Sequence, residues 1–183
     1  MSDELERYYE RRAPEYDAVY AKPERQEDLS ALKVRIPELL RGLRVLEIAA
    51  GTGYWTQHIA PAAASVVATD LNPAPLRIAE RRDYGGANVA FQVADAFDLR
   101  GVAGDFDAAF AGFLWSHLAH DRIPAFLDGI ARRLPAGGLV VAMDNRYVDG
   151  SNAPITRRDA DGNTFQRRDL RDGSTWEVVS TVA

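Results

Sequence analysis

Cysteine is absent from this chain of 183 residues. That absence removes disulfides, thiolate metal sites and a cysteine nucleophile together. Long apolar runs are lacking too, since none approaches the ~18 residues that a bilayer-spanning helix needs. The opening Met1-Ser2-Asp3-Glu4-Leu5-Glu6-Arg7 is charged and has no apolar centre, so no signal peptide is expected there. The expected setting is the cytoplasm, away from membranes. A basic excess is missing as well: 22 Lys and Arg stand against 27 Asp and Glu, a net charge of −5. Nucleic-acid binders usually show a basic footprint, so no nucleic-acid partner is expected. Paired arginines such as Arg81-Arg82 and Arg132-Arg133 have acids nearby and read as solvated faces. Internal repeats and low-complexity segments are lacking.

What is present is an ordinary soluble composition, 46% hydrophobic and 27% charged, with enough chain for one domain and a sizeable core. Residues 3–20 are expected to be helical, with Leu5, Tyr8, Tyr9, Arg12 and Tyr16 along one stripe that Pro14 breaks in two. These aromatics either pack on the domain or form a lid over a ligand. A second helix is expected over 25–41, with Leu29, Leu32, Ile36, Leu39 and Leu40 as its apolar face. Pro37 should bend it or end it early, and Gly42 is its C-cap.

From there strands and helices alternate. Strands are expected at 43–49, 66–70, 88–93, 105–111 and 139–143, and helices at 53–62, 73–82 and 122–134. Asn72 suits an N-cap and Pro73 a first helical position. Ile123, Phe126, Leu127, Ile130 and Leu134 form the buried face of the last helix. Nearly all-apolar strands belong to parallel sheets buried on both faces, and the alternation predicts a doubly wound α/β sheet with right-handed crossovers. Residues 149–161 read as a long surface loop. Residues 164–168 and 175–179 flank Asp172-Gly173 as a C-terminal β-hairpin.

The rest is organised around Val45-Leu46-Glu47-Ile48-Ala49-Ala50-Gly51-Thr52-Gly53. It reads as an apolar strand, a glycine turn and the opening of a helix. Gly51 and Gly53 permit a tight turn and remove Cβ atoms that would hold a ligand away, and the next helix points unpaired N–H groups over the turn. A nicotinamide or flavin dinucleotide would ask for Gly-x-Gly-x-x-Gly/Ala. Thr56 stands at the third position, and the acid Glu47 lies inside the strand. Both count against a dinucleotide.

The same stretch resembles the first motif of class I S-adenosylmethionine-dependent methyltransferases. Further motifs follow in order. Asp70 ends the second strand, where that family places the acid for the ribose hydroxyls. Ala94-Asp95-Ala96-Phe97 follows the third, where the family sets an acid, a backbone N–H and an apolar side chain around the adenine. Phe106-Asp107-Ala108-Ala109-Phe110 matches the fourth strand, and Leu134-Pro135-Ala136-Gly137-Gly138 the turn before the fifth. Residues 8–17 are similar to an N-terminal cap of small-molecule members. The resemblance covers about residues 5–147. It implies a mainly parallel Rossmann-like sheet with helices on both faces, an N-terminal helical cap (1–24), a donor-binding core (25–147) and the loop and β-hairpin (148–183), as one domain. It also implies S-adenosyl-L-methionine as methyl donor, S-adenosyl-L-homocysteine as product and a small-molecule acceptor. The donor-binding residues it implies are Tyr16, Glu47, Ala49, Gly51, Thr52, Gly53, Asp70, Leu71, Asp95, Ala96, Phe97, Gly112 and Phe113, with Glu47 near the methionyl amino group.

In the resembling fold, the segment from Gly112 to Leu118 faces the transferred methyl group. His117 is therefore the candidate general base, because its unperturbed pKa lies near working pH; the bland alternative is a satisfied histidine at a helix start. Tyr8, Trp115 and Arg146 are candidates for the acceptor side. His117, His120 and Asp121 have a spacing that could hold a metal, but no further ligands accompany them and no metal is expected. After the fifth strand the family continues with a helix and an antiparallel strand pair, whereas only the loop and hairpin follow here. The hairpin replaces that pair, the chain is shortened, or a second subunit covers the edge. A homodimer through the open sheet edge or the hairpin is therefore a candidate assembly. The competing functions are a donor-binding protein without transferase activity and, less favoured, an NAD(P)-dependent oxidoreductase.

Overall fold

Side chains of Val45-Leu46-Glu47-Ile48 alternate between two buried layers, and the sheet extends to either side of them. In the computed structural model, which describes residues 13–147, 152–169 and 173–180, β1 (Arg44–Ile48) lies between β2 (Ser65–Asp70) and β4 (Ala108–Gly112). With β3 (Val89–Val93) and β5 (Leu139–Met143) the order is β3-β2-β1-β4-β5, all parallel. Strand order reverses at β1, so the carboxyl ends of β1 and β4 part to leave a crevice, the usual ligand position in such sheets.

Among the described residues, four α-helices cover the sheet: α1 (Gln26–Leu39), α2 (Thr56–Ile59), α3 (Pro73–Ala79) and α4 (Ile123–Ala131). Leu29 and Ile36 of α1 and Ile59 of α2 pack with Val45, Val66 and Phe110 in one layer. Phe126 and Ile130 of α4 pack with Leu46, Ile48 and Ala109 in the other. Each such large side chain contributes roughly 1.5–3 kcal/mol on burial, so the strands are held from both faces. The Asn72 side chain accepts the Ala74 N–H at 2.9 Å and caps α3.

Several expectations change in detail. Residues 3–12 lie outside the described residues, and Ala13–Ala21 is a 3₁₀ helix rather than an α-helix. Pro14, without an N–H, suits such a tightened segment. Tyr20 in this helix is buried and stacks on Tyr54 with centroids 3.7 Å apart. Helix α1 runs two residues past Pro37 before it stops, and Gly42 follows at φ 70°. Leu39 is exposed, because Leu29, Leu32, Ile36 and Leu40 already form the inward stripe. Leu127 is exposed for the same reason beside Phe126 and Ile130. Helix α2 is a single turn instead of ten residues, since Gly53, Tyr54 and Trp55 belong to the preceding turn. Strand β4 starts at Ala108, not at 105. Asp107 is drawn instead to Arg44, accepting from its guanidinium at 2.8 and 3.0 Å, which holds the Asp107 carboxyl down at about 2.

The expected surface loop contains a strand, β6 (Ile155–Arg158). It joins β7 (Thr164–Asp169) and β8 (Thr175–Val179), the expected hairpin, in an antiparallel sheet of order β6-β7-β8. Arg157 supplies the tertiary reason: its guanidinium lies 3.5 Å from the centre of the Phe165 ring and pairs with Glu177 at 3.1 Å. This sheet is separate from the parallel one, so the hairpin does not extend β5. Among the described residues, no helix is long and apolar enough to cross a membrane.

Candidate ligand-binding and catalytic site

A cavity opens at the carboxyl ends of β1, β2 and β4. Ala49 follows β1 and Phe113 follows β4; both line the cavity, with φ of 56° and 58°. These are the two non-glycine residues with left-handed backbone among those described. Such a conformation costs on the order of 1–3 kcal/mol and persists only where its surroundings impose it. The strain is thus concentrated on the cavity wall.

The two glycines of the turn do different work. Gly51 lines the cavity at φ 57°, and a Cβ there would meet nothing within 4 Å, so it leaves the wall open. Gly53, at φ 75°, would carry a Cβ 2.6 Å from the Tyr84 hydroxyl and 2.8 Å from the Ala79 Cβ. Its lack of a side chain lets the end of α3 close on the turn.

Asp70 ends β2 and lines the cavity. Its Oδ2 accepts the Gly51 N–H and its Oδ1 the Asn72 N–H, each at 2.9 Å. Burial raises its pKa, while the N–H groups of Asn72, Gly51 and Leu71 pull it back toward the charged form. Two oxygens offer about four lone-pair positions, so these bonds orient the carboxylate and leave it able to accept from a ligand.

Glu47 lies inside β1, 1% exposed, and its Oε2 has no hydrogen-bond partner. Burial pushes its carboxyl up to about 8, against the Thr56 hydroxyl, which lowers it, and with the Asp70 charge, which raises it further. An isolated buried carboxylate is costly, so this group holds a proton at neutral pH.

The N-terminal cap is fastened to the glycine turn. Tyr16 lines the cavity, and the next residue, Asp17, accepts the Thr52 hydroxyl at 2.5 Å and pairs with Arg82. Arg82 also donates through Nε to the Thr52 carbonyl at 2.6 Å. Thr52 itself is 2% exposed and faces this clamp.

On the other side, His117 lines the cavity from the 3₁₀ turn Trp115–His117. Its Nδ1 lies 2.7 Å from the Val179 carbonyl of β8. A carbonyl only accepts, so Nδ1 carries the hydrogen and, in the neutral ring, Nε2 is the acceptor.

Of the residues singled out in the sequence, the cavity brings together Tyr16, Ala49, Gly51, Asp70, Leu71, Ala96, Gly112, Phe113 and His117. Asp95 is turned to its own loop, where its carboxylate accepts the Phe97 N–H at 2.9 Å. Phe97 lies under the Arg122 guanidinium, 4.2 Å from the ring centre. Glu47, Thr52 and Gly53 stand behind the wall, in the contacts given above. Trp115 is 37% exposed and meets Phe126 edge-on, while Arg146 is exposed. Tyr8 lies outside the described residues. His120 bonds the Asp161 carbonyl at 3.0 Å, and no group of three or more metal-ligating side chains occurs among the described residues. The cavity also takes in Asn72, Pro75, Ala94 and Leu114; the first two follow Asp70 at the start of α3, a position that the strand-end acid itself marks.

Residues 45–138 match the sequence profile of the methyltransferase domain. The chain belongs to that family. It is 34% identical over 120 residues to the demethylmenaquinone methyltransferase of Clavibacter sepedonicus, covering 66% of this chain and 47% of that protein. The chain thus spans about half the length of the curated relatives it matches. A solved structure described as a DhpI-SAH complex is 31% identical, with a TM-score of 0.76 over 100% of this chain and 82% of that one. A second, described as a DhpI-SAM-HEP complex, is 28% identical with a TM-score of 0.76, and covers 100% of this chain and 84% of its own.

Proposed function

We propose that this protein transfers a methyl group from S-adenosylmethionine to a small-molecule acceptor by in-line displacement, releasing S-adenosylhomocysteine. The observation that carries the reading is Asp70, whose oxygens are oriented by two backbone N–H groups at the cavity wall and keep lone pairs for a vicinal diol. The neighbouring residues fit the remaining parts of that donor. Leu71, Pro75, Ala94 and Ala96 give an apolar slot for a purine, and Gly51 leaves space where a Cβ would intrude. The unpartnered Oε2 of Glu47, four residues before Gly51, suits a cationic amino group. Asp95, Phe97, Thr52 and Gly53 support this side from behind.

When bound, the sulfonium supplies a methyl group already activated for displacement. The protein's part is to hold the reactants in line and to keep water out, which can supply several kcal/mol. Tyr16, held by the Asp17 clamp, and Phe113, held in strained backbone, serve that purpose. His117, with Nδ1–H engaged by Val179, presents Nε2 to take a proton from a hydroxyl or amine acceptor. Tyr8, Trp115 and Arg146 remain the acceptor-side part of the proposal, with a cytoplasmic setting for the enzyme. One unit is proposed from the cap (1–24), core (25–147) and C-terminal segment (148–183). A homodimer through the outer edge of β5 belongs to the same reading, supported by Val140 at 45% exposure there; sedimentation velocity tests it.

Isothermal titration with S-adenosylhomocysteine is the deciding experiment. Saturable binding at micromolar ligand is expected. No heat at millimolar ligand would sink the reading.

A further inference from the structure

We propose that Asp144 is a positioning residue for His117, a proposal that rests on the reading of His117 as the base of the site. The turn that carries His117 has little to hold it by itself. Trp115–His117 is three residues long, with the His117 N–H bonded to the Leu114 carbonyl at 2.9 Å and the Leu118 N–H to the Trp115 carbonyl at 3.1 Å. Short 3₁₀ turns have poor hydrogen-bond geometry and rely on their surroundings.

Those surroundings act from two sides. Asp144 follows β5 directly; its Oδ2 accepts the Ser116 N–H at 2.7 Å and its Oδ1 the Ser116 hydroxyl at 3.1 Å. Ser116 is buried, so these donors have no water to turn to if the carboxylate is lost. From the antiparallel sheet, the Val179 carbonyl takes the His117 Nδ1–H at 2.7 Å. Asn163, just before β7, takes the His120 N–H at 2.8 Å. The register of β5 beside β4 is continued by the Phe113 N–H to the Met143 carbonyl at 2.8 Å, immediately before Asp144. The parallel sheet therefore fixes the backbone of the turn at Ser116, and the antiparallel sheet fixes the ring one residue later. Asp144 does not line the cavity; it acts through the turn. Without the Asp144 anchor, the imidazole loses the backbone frame that aims Nδ1 at the Val179 carbonyl.

The chain has three histidines, so its imidazoles can be followed one by one by long-range proton–nitrogen NMR on the full chain, with His117→Gln as the assignment control. In the native protein His117 should be the Nδ1–H tautomer. Asp144→Ala should turn its signals into a mixture of both tautomers, with Asp144→Asn less affected and Ser116→Ala, which keeps the backbone N–H to Asp144, the least. His58 and His120 should be unchanged, and S-adenosylhomocysteine affinity should stay within about twofold, since the donor wall is untouched. An unchanged His117 tautomer in both Asp144→Asn and Asp144→Ala would overturn the proposal. So would simultaneous shifts at all three histidines, the mark of general loosening. Failure of the base reading shows separately, as undiminished methyl transfer by His117→Gln to a panel of hydroxyl and amine acceptors.

Discussion

The Asp17 carboxylate accepts the Thr52 hydroxyl at 2.5 Å while pairing with Arg82, so the cap, the glycine turn and the turn after α3 meet at one side chain. The ion pair is partly exposed, with 42% of the Asp17 and 21% of the Arg82 side chain accessible, so screening holds its contribution to about 1 kcal/mol. Asp17→Ala should therefore cost little global stability but should loosen the cap. Hydrogen exchange of amides in Ala13–Ala21 should speed up severalfold, and S-adenosylhomocysteine affinity should fall about tenfold because Tyr16 is no longer held in place. Native exchange in that segment of the variant would remove the clamp from the account.

Asp70 has a sharper signature. Asp70→Ala removes the acceptor of both the Gly51 and the Asn72 N–H and any bond to a ligand diol. Hydrogen bonds to a charged group are worth about 1.5–3 kcal/mol each, so affinity for S-adenosylhomocysteine should fall by roughly 100-fold. Asp70→Asn, which keeps one acceptor oxygen, should lie between the two. Titration calorimetry measures all three, and equal affinities would take Asp70 out of the site.

Much of this architecture can be read from the residues because it is local. Strand β5 occupies the very span its apolar run marks, and Ala49, Gly51 and Asp70 sit at strand ends that the alternation locates. Strand β6 gave no such signal. Ile155-Thr156-Arg157-Arg158 is short and polar, and it becomes a strand through Arg157 over the Phe165 ring and against Glu177, contacts made across the sheet. Apolar spacing alone overstates the buried faces at Leu39 and Leu127, which are exposed because neighbouring side chains of the same helices already fill the inward stripe. Asp17 with Arg82 and Asp144 with Ser116 lie 65 and 28 residues apart; each is an ordinary surface-type residue until the fold brings its partner.

The two glycines of the turn should separate stability from binding. Gly53→Ala places a methyl group against the Tyr84 hydroxyl and Ala79 Cβ, at 2.6 and 2.8 Å, in left-handed backbone. Overpacking of that kind costs about 1–3 kcal/mol, and the unfavourable φ adds about 1 more. Gly51→Ala has only the backbone term, since its Cβ meets nothing. Chemical denaturation should therefore rank Gly53→Ala well below Gly51→Ala. Ligand affinity, compared where each variant is folded, should be lost chiefly in Gly51→Ala, whose methyl group stands at the cavity. A reversed order in the two measurements would show that Gly51, not Gly53, packs the turn.

Glu47 links proton uptake to both folding and binding. Its carboxyl titrates at about 8 in the folded protein against an ordinary 4.5, chiefly because it is buried. Between those values the folded state holds a proton that the unfolded chain has released, so stability falls as pH rises from about 4.5 to about 8. Glu47→Gln, equal in shape and without charge, should flatten that slope and be the more stable protein at pH 8 by on the order of a few kcal/mol. Urea denaturation at pH 5 and pH 8 measures the difference. A cationic amino group placed at Oε2 favours the carboxylate, so binding of S-adenosylhomocysteine near neutral pH should expel the proton. Calorimetry in two buffers of different ionisation enthalpy then returns a proton released by the native protein and none by Glu47→Gln. Equal proton counts for the two proteins would place the ligand's amino group elsewhere and leave Glu47 a buried acid of the β1 core.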